Sequence, residues 1–122
     1  MIETKNSLVL AYMGDAVYEV IIRKYLIDKG IAKVNDLQKE ATCYVSAKSQ
    51  SMYLEKMIND NFLTEDELTI IKRARNHKSH GSKSTDIITY KKSTGLEALI
   101  GYLYLKNNTN RINEVMNYIV GD

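Results

Sequence analysis

The chain has 122 residues, 44% hydrophobic and 26% charged, with a formal net charge of +2. That is the length and composition of one soluble domain, residues 1–122, and it excludes two ordinary domains or a disordered polymer. No run approaches the roughly 18 uninterrupted apolar residues of a membrane span; the longest, "ALIGYLYL", ends well short of that. The opening "MIETKNSLVLAYMGD" lacks the basic start and apolar centre of a signal peptide. A single cysteine, Cys43, fits a reducing compartment and is expected as a small core residue. The expected location is cytoplasmic, with no membrane partner.

Proline is absent, and strand-like alternation is hard to find, so the expected fold is all-α. A first helix is expected from Asn6 or Ser7 to about Lys29, stopped by Gly30. Asn35 is the expected cap of a second, "DLQKEATCYV", and Ser46 of a third, "AKSQSMYLEKMI", broken by "NDN". Thr64 and Glu67 have capping-box spacing for a fourth, ending near Arg75. The polar stretch "NHKSHGSKSTD" reads as a loop. A fifth helix is expected over about Thr89–Lys106, and a sixth from Asn110 to Gly121.

Charge is distributed unevenly over these segments. Between Lys72 and Lys92 there are seven bases and one acid, whereas the remaining chain is net acidic. A basic segment mixed with Asn, Ser and Gly donors suits phosphate contacts, and a merely solvated loop would have the same composition.

Two carboxylates interrupt apolar helices. Asp15 sits in "VLAYMGDAVYE" directly after Gly14; Glu97 sits in "STGLEALIGYLYL" between Gly95 and Gly101. Glycine weakens a helix interior, so its presence beside each acid is explained by close approach of two backbones. Such a crossing brings the acids together, and facing carboxylates need a proton or a cation between them. Glu19, one turn after Asp15, adds charge to the same face. Mg²⁺ fits a pair of carboxylates beside a phosphate-binding segment. His77 and His80 lie alone in the loop, which argues against zinc. The alternative is that each acid pairs with a lysine or caps a neighbouring helix.

Four stretches, "LAYMGDAVYEV", "YVSAKSQ", "RARNHKS" and "TDIITYKKSTGLEALIGYLYL", resemble the ribonuclease III endonuclease domain. The resemblance is closest to its short Mini-ribonuclease III branch, which has no double-stranded-RNA-binding domain. It implies an all-α helical bundle, a homodimer, and Mg²⁺-dependent endonucleolytic cleavage of double-stranded RNA to 5′-phosphate and 3′-hydroxyl ends. It also implies maturation of the bacterial 23S ribosomal RNA precursor, with a ribosomal protein as a further candidate partner. By position, Asp15 and Glu97 become the catalytic metal ligands, and Asp36 falls where longer relatives carry another acid. Leu8, Ala11 and Thr94 stand where those relatives carry acids, leaving fewer carboxylates per site; Thr94 is the residue expected to meet a metal-bound water.

Duplex RNA is recognised by shape and backbone. Arg73, Arg75, Asn76, Lys78, Ser79 and Lys83 are the expected backbone grip, with Lys48 and Gln50 second. Tyr12, Tyr18, Tyr102 and Tyr104 are expected in the core or a dimer interface, and Leu8, Val9 and Tyr12 on a self-association face. The competing readings are a non-catalytic helical RNA-binding or ribosome-assembly module and a helical adaptor. The first leaves the two acids unexplained, and the second explains neither the acids nor the basic segment.

Overall fold

The second half of the stretch 87–105 is apolar on nearly every side, and a helix of that kind has to be enclosed by others. In the computed structural model, which describes residues 5–77 and 86–121, it is the central helix α5 (Ile87–Leu105). From Ser93 to Leu103 every residue of α5 is buried except Glu97, which is half-buried. Around it stand α1 (Ser7–Asp28), α3 (Ala47–Asn59), α4 (Glu65–Arg75) and α6 (Thr109–Val120). The remaining helix, α2 (Val34–Val45), packs outside against α1 and α3. The described residues contain no strand, as the all-α expectation requires.

The helix ends follow capping chemistry. Asn6 accepts from the Leu8 amide at 2.7 Å, and Gly30 after α1 has φ +95°, a conformation open to glycine. Ser46 caps α3 through the Ser49 amide. Thr64 and Glu67 form the complete capping box of α4. Three starts differ from the sequence expectation; that of α6 moves by one residue, to Thr109, because Asn108 accepts from the Arg111 amide at 3.2 Å. α5 begins at Ile87, two residues early, because Asp86 accepts from both the amide and the hydroxyl of Thr89 at 2.9 Å. α2 begins before Asn35, at Val34, with Lys33 as its cap and no side-chain cap bond. Asp36 in its first turn supplies negative charge at the amino end instead.

The core joins Leu10, Tyr18, Ile22 and Leu26 of α1 to Leu54 and Met57 of α3, Ile70 and Ile71 of α4, and Val115 and Met116 of α6. A part-buried ion pair lies at its edge. Arg111 of α6 grips Glu67 of α4 with two bonds of 2.7 Å and donates to the Phe62 carbonyl at 2.8 Å. Burial pushes the Glu67 carboxyl up, but the bonds from Arg111 and Thr64 hold it below the usual carboxylate range. Of the four singled-out tyrosines, Tyr18 and Tyr102 are in the core, while Tyr12 and Tyr104 are exposed. Cys43 corrects an expectation: it is exposed, because α2 buries none of its residues fully and Cys43 is on its outer side.

Candidate active site

Asp15 and Glu97 meet where α1 crosses α5, and the crossing is a contact of main chains. A Cβ placed on Gly14 would lie 1.6 Å from the Glu97 carbonyl oxygen and 2.8 Å from the Gly101 nitrogen. One placed on Gly101 would lie 1.9 Å from the Leu10 carbonyl oxygen. The two glycines therefore interlock, and no other residue type fits at either position without separating the helices. Asp15 directly follows one glycine, and Glu97 lies one turn before the other, so the acids are delivered to the same end of the contact.

The Glu97 carboxyl lies close enough to that of Asp15 to feel its charge. Burial first, and then the charge of Asp15, raise the Glu97 pKa to about 8. The Asp15 side of the pair is open: this residue is exposed, more so than an acid in an apolar run is expected to be. An exposed carboxylate next to a half-buried one gives a two-oxygen donor set with an open solvent side. Those are hard donors for a cation that keeps several waters, so the pair fits Mg²⁺.

The structure sorts the other expected site residues. Glu19 pairs with Arg23 at 3.0 Å and lines a groove between α1 and α2, to which neither Asp15 nor Glu97 contributes. Asp36 lines a different hollow with Lys33, Lys39 and Glu40, to which neither Asp15 nor Glu97 contributes. Among the described residues no three acidic, histidine or cysteine side chains gather into a metal cage. Glu19 and Asp36 are therefore not partners of the pair within this chain. Thr94 is buried beside Glu97, and its hydroxyl donates to the Tyr90 carbonyl at 3.0 Å, leaving only lone pairs for a water.

Of the expected RNA contacts, Lys78, Ser79 and Lys83 lie outside the described residues, as does His80. Lys48 is exposed at the start of α3, and Asn76 is exposed at the carboxyl end of α4. Arg75 lays its stem across Gly95 of α5 and makes no hydrogen bond or ion pair among the described residues, so its guanidinium can take a phosphate. Arg73 is partly structural: it donates to the Ser7 hydroxyl at 3.3 Å and the Lys5 carbonyl at 3.0 Å, tying α4 to the start of α1.

Gln50 corrects an expectation. It is 1% exposed and so unable to touch RNA; it accepts from the Ser93 hydroxyl at 2.5 Å, and its amide favours the charged form of the Glu97 carboxyl. The polar run "SAKSQ" hides this inward turn, but Gln50, Leu54 and Met57 have the spacing of one helix face, and all three are buried. The same spacing, Glu67 with Ile70, Ile71 and Ala74, marks the buried acid of α4.

A family profile described as "Ribonuclease III domain" matches residues 8–108. A Mini-ribonuclease 3 of Enterococcus faecalis is 46% identical over 116 residues, covering 94% of this chain and 88% of that protein. One from Brevibacillus brevis is 49% identical over 112 residues, covering 91% of this chain and 82% of the relative. Among solved structures, a Fusobacterium nucleatum protein superimposes with a TM-score of 0.88 at 35% identity, over 98% of both chains.

Proposed function

Because the chain belongs to the ribonuclease III family, in its Mini-ribonuclease 3 branch, we propose that it cuts double-stranded RNA at the Asp15–Glu97 pair with Mg²⁺. The enzyme class, endoribonuclease, follows from that membership, and it sets aside the non-catalytic readings. The observation that carries the site assignment is the glycine-on-glycine crossing. It spends two glycines on holding two like-charged side chains together in an otherwise apolar contact.

The roles of the chain's own groups follow from their placement. Asp15, exposed, presents its oxygens to solvent and substrate; Glu97, half-buried and anchored from behind, is the fixed member. Mg²⁺ bound between them would lower the pKa of a water and offset charge on the departing 3′-oxygen. No histidine lies at the pair among the described residues, so proton removal falls to solvent, and the products carry 5′-phosphate and 3′-hydroxyl ends. Arg75, Asn76 and Lys48 contribute phosphate contacts of the kind that hold a duplex by its backbone.

A duplex has two strands, and two copies related by a two-fold axis place one site on each. The exposed apolar side chains of α1, Leu8, Val9, Tyr12 and Val20, are the surface for that homodimer. The proposed natural substrate is the precursor of 23S ribosomal RNA, in the cytoplasm; no helix of the described residues is long and apolar enough to cross a membrane.

The test is cleavage of an end-labelled RNA duplex with Mg²⁺ or EDTA by the native chain, Asp15→Asn and Glu97→Gln. Cutting that needs Mg²⁺ and disappears in both variants, while duplex binding persists, is the expected result. Full cutting by either variant would remove the pair from the chemistry. A precursor stem that is left whole while generic duplexes are cut would remove the ribosomal assignment alone.

A further inference from the structure

A glutamine at the centre of a helix's core face needs a reason. Gln50 lies in line with Leu54 and Met57, which are 0% exposed, and is itself 1% exposed. Leaving a buried amide unsatisfied costs about 1–3 kcal/mol, and leucine or methionine fills the same volume without that risk. The space alone does not explain the residue.

Its hydrogen bonds do. Ser93 lies one turn before Glu97 on α5, so the two share a face. The Ser93 hydroxyl occupies the Gln50 carbonyl oxygen, at 2.5 Å, in a fully buried contact. With the oxygen taken, the amide nitrogen is the group left for Glu97; no buried side-chain polar atom among the described residues lacks a partner, and Gln50 acts on the Glu97 carboxyl as a donor, favouring its charged form. A neutral donor suits this place better than a lysine would: it orients the carboxylate without neutralising it, so the negative charge stays available to a cation.

We infer that Gln50 is a positioning residue, which reaches from α3 beneath α5 and, braced by Ser93, fixes the orientation in which Glu97 meets a divalent cation shared with Asp15. This rests on the reading of Asp15 and Glu97 as the metal pair. It assigns α3 a part in the site through a buried side chain. It also gives Glu97 its asymmetry with Asp15: one acid is held from behind by an amide and the other is free to follow the substrate.

The test compares the native chain with Gln50→Met, Ser93→Ala and Asp15→Asn. Three quantities are read: Mn²⁺ affinity of the RNA-free protein by calorimetry, the Mg²⁺ concentration for half-maximal cleavage, and duplex affinity in EDTA. Partners of this kind behind a metal ligand are typically worth about 10-fold to 100-fold in affinity or activity. Gln50→Met is expected to weaken Mn²⁺ binding and raise the Mg²⁺ requirement by at least about 10-fold, with duplex affinity and thermal midpoint nearly unchanged. Ser93→Ala should shift both metal readouts in the same direction by less.

A Gln50→Met protein that is folded and has native metal affinity overturns the inference. So does one whose activity loss follows its folded fraction with an unchanged Mg²⁺ requirement, which is the signature of a packing role. Should Gln50→Met fail to fold, native metal affinity in Ser93→Ala overturns it instead. A failure of the parent reading looks different: native chain and Asp15→Asn would then bind Mn²⁺ alike.

Discussion

Replacing Gly14 with alanine tests the crossing with a single methyl group. Helix propensity alone favours the change by about 1 kcal/mol. The added carbon, however, would lie 1.6 Å from the Glu97 carbonyl oxygen and 2.6 Å from its carbonyl carbon, both main-chain atoms. Ordinary carbon–oxygen contact is near 3.4 Å, so the helices must separate by about 2 Å at this point, and no rotamer change can absorb that. Overpacking of well-packed sites costs about 1–3 kcal/mol, and a main-chain clash belongs at or above the top of that range. After the propensity gain, a net loss of about 2–3 kcal/mol is expected, or about 8–12 °C in thermal midpoint for a chain of this length. Activity should fall further than stability, because the atom displaced belongs to Glu97 itself, and a misplacement of about 1 Å can cost about 100-fold. The assay pairs thermal unfolding with duplex cleavage measured well below both midpoints. A Gly14→Ala protein as stable as the native chain, or more so, and fully active would refute the account of the crossing.

Other perturbations separate stability from function. In EDTA, Glu97 holds its proton in the fold to about pH 8, whereas the unfolded chain releases it near 4.5. The folded state therefore binds more protons in that window, and stability should decline as pH rises from 4.5 through 8. Glu97→Gln should remove this decline, and identical pH profiles of thermal midpoint for both proteins would refute it. Arg111→Met strands the buried Glu67 carboxylate, with an expected loss of about 3–5 kcal/mol; adding Glu67→Gln should recover most of it in urea unfolding. Arg75→Gln should weaken duplex binding in EDTA and lower the salt slope by about one, leaving the thermal midpoint in place. Arg73→Gln should lower the midpoint as well, since it releases the Lys5 and Ser7 contacts.

What the sequence made readable was mostly local. The Thr64–Glu67 box, the Ser46 cap and the glycine stops appear where their spacing puts them, because capping is decided within one turn. The acid pair was legible for a different reason: a carboxylate in an apolar helix with a glycine within one turn of it occurs twice. What escaped was the tertiary half of each site. Gln50 is polar in a polar run, and only α5 lying over it makes it a core residue. Arg73 and Arg75 read alike as surface bases, but the distance to the amino end of α1 ties one and leaves the other. Asp36 and Glu19 looked like further members of one acidic valley, and their own neighbours claim them for other grooves. Cys43 looked like core because cysteines usually are, and α2 has no inner layer deep enough to bury it.

That shallow helix has a consequence for how the molecule opens. α2 is fastened at its carboxyl end, where the hydroxyls of Tyr18 and Tyr53 donate to the carbonyls of Tyr44 and Cys43 at 2.6 and 2.9 Å. Its amino end has no side-chain cap, and none of its residues is fully buried. Opening from the amino end, with the tyrosine-bound end as pivot, exposes little apolar surface, so it requires far less free energy than global unfolding. Amides near Leu37 should exchange with solvent orders of magnitude faster than those of α5. The crossing of α1 and α5 at Gly14 and Gly101 thus sits in the last part of the molecule to loosen, and α2 is a flap the fold can lift without disturbing it.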